Sequence, residues 1–133
     1  MATLEGGVGV SEKTEDKFGD LFDELKTLMK PLEPHLVVKT DEPGDYYLNT
    51  PSQREDGYVY AFGGVQIKKR YVSYHLMAVY AEPQLLDGVS DKLKKRMQGK
   101  SCFNFTKKDD ELFAELADLT EAGYKAFKAK GMV

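Results

Sequence analysis

The stretch from Tyr58 to Tyr80 reads as two adjacent β-strands that pair into a sheet with two unlike faces. Val59, Ala61, Gly63, Val65 and Ile67 alternate along the first run, and Val72, Tyr74, Leu76, Ala78 and Tyr80 along the second. Neighbouring strand side chains point to opposite faces, so each of these sets shares one face. An even-length turn around Lys69-Arg70 sets Ile67 opposite Val72 and Val65 opposite Tyr74, and the apolar sets coincide. A slip of one residue would mix the sets, so burial selects this register. The second face carries Tyr60, Phe62, Gln66 and Lys68 beside Tyr71, Ser73, His75 and Met77. That mixture is too apolar for a plain wet face and too polar for a plain core. Polar groups converging on an aromatic surface are what small-molecule sites offer, and exposed aromatic and methionine patches mark self-associating faces. These eight residues are the candidate ligand-binding or homodimer surface.

The flanking segments supply cover for the apolar face. From Thr14, apolar residues fall at Phe18, Leu21, Phe22, Leu25, Leu28, Met29 and Leu32, the spacing of one helical face. Glu15 and Asp16 lie in the first turn and Lys26 and Lys30 near the end, matching the helix dipole, and Pro31 and Pro34 close it. Residues 36–40 and 46–49 read as short strands around the turn Asp41-Glu42-Pro43-Gly44-Asp45. Ser90 is the N-cap of a basic helix through Met97, and Cys102–Phe105 is a fifth strand. A final helix begins at Asp109 or Asp110, with Leu112, Phe113, Leu116, Leu119, Gly123 and Phe127 on one face. The order predicts an α+β fold: an antiparallel sheet of about five strands with the N- and C-terminal helices packed on one face. Residues 1–12, with Gly6, Gly7 and Gly9, read as a flexible tail, and 13–133 as a single domain.

Composition narrows the function classes. The charged fraction is 31% and no apolar run approaches the roughly 20 residues needed to span a bilayer, so a globular, cytoplasmic protein with no membrane partner is expected. Cys102 is alone, which excludes an internal disulfide and suits a reducing cytosol. Residues 66–108 hold three acids and ten bases, while both flanking parts are net acidic. Such a basic middle can attract anions or be neutralised by its flanks on folding. Lys68-Lys69-Arg70 and Lys92, Lys94, Lys95, Arg96 and Lys100 could line a nucleic-acid groove with Tyr71 for stacking, but the acidic pI of 5.4 argues against a dedicated binder.

No catalytic motif stands out. Gln98-Gly99-Lys100-Ser101 ends like a phosphate loop, but the required earlier glycine is Lys94 and a strand follows where a helix should. His35, His75 and Cys102 lack the spacing of a zinc site. A nucleophilic Cys-His pair would need Cys102 near His75 across the sheet; a lone strand cysteine otherwise reads as a small core residue. Asp16, Asp20, Asp23 and Glu24 lie within one another's reach on the first helix and could bind iron or another hard cation weakly. No cofactor is implied.

Val65-Gln66-Ile67-Lys68-Lys69-Arg70-Tyr71-Val72-Ser73-Tyr74-His75-Leu76-Met77 resembles the bacterial YdhG-like family of domains of unknown function. The stretch Leu93–Phe105, followed by Glu111-Leu112-Phe113, looks like it too, and the resemblance spans about residues 18–128. It implies a small cytosolic α+β protein; some members are labelled iron chaperones because their fold is similar to frataxin. It offers no catalytic residues to carry over, and an iron role would need the acidic set Asp16, Asp20, Asp23 and Glu24. The expectation is a non-enzymatic domain that binds a small ligand or a second copy of itself through the open sheet face. The alternatives are an iron-binding chaperone and a small enzyme using His75 and Cys102.

Overall fold

The computed structural model describes residues 10–133, with side chains from Phe18 onward. Helix α1 (Val10–Met29) leads through a 3-10 segment (Lys30–His35) into strands β1 (Val37–Glu42), β2 (Asp45–Gln53), β3 (Val59–Ile67) and β4 (Val72–Leu76). Short helices α2 (Met77–Ala81) and α3 (Asp91–Lys94), strands β5 (Met97–Gln98) and β6 (Cys102–Phe105), and helix α4 (Asp110–Ala129) complete the chain. The strands form one antiparallel sheet in the order β1-β2-β3-β4-β6-β5. α1 begins at Val10, four residues before the expected Thr14; the rest of the proposed tail, residues 1–9, lies outside the described residues. No helix among the described residues is long and apolar enough to cross a membrane.

The β3–β4 hairpin has the register that burial demanded, with Ile67 opposite Val72 and Val65 opposite Tyr74. The β1–β2 turn is Pro43-Gly44, where Pro43 fixes φ and Gly44 takes φ +77°, a value L side chains rarely adopt. Side-chain caps start the later helices: Ser90 Oγ accepts from Leu93 N, and Asp109 Oδ1 accepts from Leu112 N. α1 and α4 pack on the Val65/Tyr74 face, where Leu21, Leu25, Val65, Leu76, Leu116 and Leu119 are all buried. Buried hydroxyls there find partners: Tyr74 with Thr120, and Tyr46 donating to Glu33 at 2.6 Å. Burial pushes both phenols well above their ordinary range, helped at Tyr46 by the Glu33 carboxylate.

Three local departures from the sequence expectation move side chains. The β2–β3 register shifts between Leu48 and Asn49, which leaves Phe62 as an extra residue with no partner on β2. The bulge reverses the alternation, and Phe62 is buried on the helix side with its ring edge-on to Phe127 at 5.8 Å. Next, β4 stops at Leu76 and the chain turns into α2. The run Met77–Ala81 alternates like a strand, but its burial comes from seating Ala78 on Gly123 of α4, where a Cβ would meet Ala78 at 2.7 Å. Finally, the basic helix ends at Lys94, and Met97–Gln98 adds a sixth, edge strand on β6.

Candidate functional site on the open sheet face

One row of register partners crosses the whole sheet: Thr40, Tyr47, Gly64, His75, Cys102 and Gln98. Pairing directly opposite puts these residues on one face, the one turned from α1 and α4. Gly64 is the gap in the row. A Cβ there would lie 2.4 Å from the Tyr47 ring and 2.5 Å from the Tyr46 carbonyl oxygen, so the ring occupies the space above the glycine. Tyr47 thereby reaches His75, their rings stacked with centroids 6.1 Å apart.

His75 is held from its other side as well. Its Nδ1 lies 2.9 Å from Cys102 Sγ and 3.4 Å from Ser101 Oγ. If Nδ1 accepts from the thiol and the hydroxyl, the ring proton sits on Nε2; if Nδ1 donates to a thiolate, Nε2 is an acceptor. In either tautomer Nε2 makes no bond to the described protein and keeps access to solvent. Burial holds the imidazole below its ordinary value near 6.5, favouring the neutral ring. Burial, with a smaller contribution from Cys102, raises Tyr47. A second row lies beside the first: Asp45, Gln66, Ser73 and Asn104, with Gln66 Nε2 donating to Asp45 Oδ1 at 3.1 Å.

The candidate residues divide accordingly. Gln66, Ser73 and His75 share the open face, where Ser73 is buried between its neighbours, and Tyr71 flanks it at the β3–β4 turn. Lys68 lies in that turn, exposed. Three residues do not belong. Phe62 is core because of the bulge, and Tyr60 and Met77 line a groove of about 700 Å³ with Phe127 and the end of α4. Cys102, expected as a core residue, is half-exposed beside His75. Tyr47 lies outside the sequence-expected set, yet the pair Tyr46-Tyr47 carries its signal: adjacent strand residues face opposite sides, so one tyrosine belongs on the open face.

The acidic set on α1 gathers no further ligands. Glu24 lies 3.6 Å from Lys108, and Asp20 and Asp23 are exposed. Asp16 lies outside the residues whose side chains are described. Among the described residues, no three His, Cys, Asp or Glu side chains converge as a metal ion would require. Compared with family models, curated proteins and solved structures, the chain finds no match.

Proposed function

We propose that this protein is a small binding domain that takes a small ligand on the open sheet face, over Tyr47, His75 and Cys102. The observation that supports it is His75 itself. Its Nδ1 is engaged by Cys102 and Ser101 and its ring is stacked on Tyr47, while Nε2 points no hydrogen bond at the protein. A histidine so fixed offers a ligand one oriented polar atom beside an aromatic surface, with the partly exposed Gln66 side chain in the next row. The sole cysteine, left free, fits a reducing compartment, so the cytoplasm is the proposed location.

A metabolite thermal-shift panel, followed by titration calorimetry of each hit, tests this reading. A ligand of this face should raise the melting temperature of the wild type. Its affinity should fall about tenfold in His75→Ala, since an oriented hydrogen bond and a stacking partner go together. Binding that His75→Ala and Tyr47→Ala leave unchanged would place the ligand elsewhere and reject the reading. Light scattering on the same proteins tests the homodimer form: a dimer built on this face should dissociate in the variants.

The 2.9 Å contact also favours a second reading, thiol chemistry on Cys102 with His75 as its base. Slower alkylation of Cys102 by iodoacetamide in His75→Ala than in wild type would support it. Equal rates would remove it.

A further inference from the structure

Two basic segments that are far apart in the sequence meet in space. Arg70 and Tyr71 at the β3–β4 turn, and Lys95 and Arg96 before β5, line one groove of about 330 Å³ with Gln98 and Asn104. Sheet pairing brings them together: Val72 lies opposite Phe105, and Asn104 N donates to the Arg96 carbonyl at 2.8 Å. No acidic residue lines the groove. Among the described residues, Arg70, Lys95 and Arg96 join no ion pair, whereas Lys26, Arg54, Lys92, Lys108 and Lys130 each reach a carboxylate. The basic middle of the chain is therefore neutralised only in part, and three of its unpaired cations meet in this groove.

Asn104 adds an independent sign. Its Nδ2 donates to Gln98 Oε1 at 2.7 Å, but its Oδ1 is buried without a partner, the one such side-chain atom among the described residues. A buried acceptor left unpaired is costly, and a bound group with an N–H would satisfy it.

We infer that this groove binds a nucleotide. The Arg70 and Arg96 guanidinium forks, with Lys95, match a phosphate in charge and geometry. The half-buried Tyr71 ring offers a stacking platform for the base, beside the hydrogen-bonded Gln98 and Asn104 amides. The volume stands at the small end of ligand sites, roughly 300–1,000 Å³, which fits a mononucleotide better than a longer strand. The groove shares Gln98 with the end of the His75 row, but its cations and Tyr71 lie outside that row, so it stands whether or not His75 and Tyr47 bind anything.

Titrating the isotope-labelled protein with adenosine monophosphate, adenosine and inorganic phosphate tests the assignment by NMR. The monophosphate should shift the Tyr71 and Asn104 amides and bind about tenfold more tightly than either part alone, because charge and stacking act together. Its affinity should fall about tenfold in the Arg70→Ala/Arg96→Ala double variant and weaken as salt rises. Tyr71→Ala should erase the preference for the monophosphate over phosphate, while His75→Ala should leave binding within about twofold. The cations sit on the surface, so the double variant should fold as wild type, which its spectrum reports directly. No shift at millimolar monophosphate, or equal affinity in the double variant, overturns the inference. So does binding of an adenine oligonucleotide without the mononucleotide, which would assign the groove to a nucleic-acid strand.

Discussion

The two faces of the sheet are made by alternate residues of the same strands, yet they treat polar groups in opposite ways. Under α1 and α4, Tyr46, Val65, Tyr74, Leu76 and Phe103 are completely buried, the Tyr74 hydroxyl paired with Thr120 and the Tyr46 hydroxyl donating to Glu33. On the other face Tyr47, Gln66, His75 and Cys102 are half-covered, and at its margin Asn104 keeps an orphan buried oxygen. The first face has finished its accounting within the fold, and trimming it leaves cavities. The second has atoms held in place with bonding capacity left over. That difference separates residues kept for stability from residues free to meet a partner.

Adjacent residues Leu76 and His75 give the sharpest way to break the comparison. Leu76→Ala on the helix face should cost about 2–5 kcal/mol by lost transfer energy and a residual cavity. Urea denaturation measures it directly, and a cost below about 1 kcal/mol would mean that this face is not the closed core described. His75→Ala, one residue earlier, should cost markedly less because its ring is only half-covered.

Gly64→Ala comes next in size. The new methyl group would collide with the Tyr47 ring and the Tyr46 carbonyl, and only the ring can move. Overpacking of this kind costs about 1–3 kcal/mol and should displace Tyr47 from His75. Changed His75 ring shifts in NMR, together with a lower urea midpoint, would confirm that the open row is a packed unit. A neutral outcome would show that the row has slack.

The smallest effect is a pH dependence specific to the open face. Burial lowers the folded-state pKa of His75, so between that value and the ordinary 6.5 the unfolded chain binds more protons. Stability due to this group is therefore full above about pH 6.5 and is lost as pH falls through that window. Paired carboxylates of Glu33, Asp41, Glu82 and Asp109 are also held low, but their contribution is lost only in the more acidic carboxylate range. Urea midpoints at pH 5.5 and 7.5 should differ in wild type and differ less in His75→Gln. An unchanged difference would mean that the ring is not desolvated in solution.

Local periodicity and turn chemistry were enough for the α+β order, the α1 and α4 helices, the Ser90 cap, and the pairing of Val65 with Tyr74. Each rests on residues near in sequence or on burial that permits a single register. The site was legible only in part. Gln66, Ser73 and His75 followed from alternation, but alternation fails wherever a third element decides which side of a strand is inside. Phe127 draws Phe62 inward across a bulge, and Gly123 accepts Ala78 and so turns the end of a strand into α2. Both partners lie more than forty residues away, beyond any periodic pattern. The meeting of His75 with Cys102, and of Arg70 with Arg96, is likewise a product of β4 pairing with β6. A sequence states which side chains are available; only long-range strand pairing and helix packing decide which of them face each other.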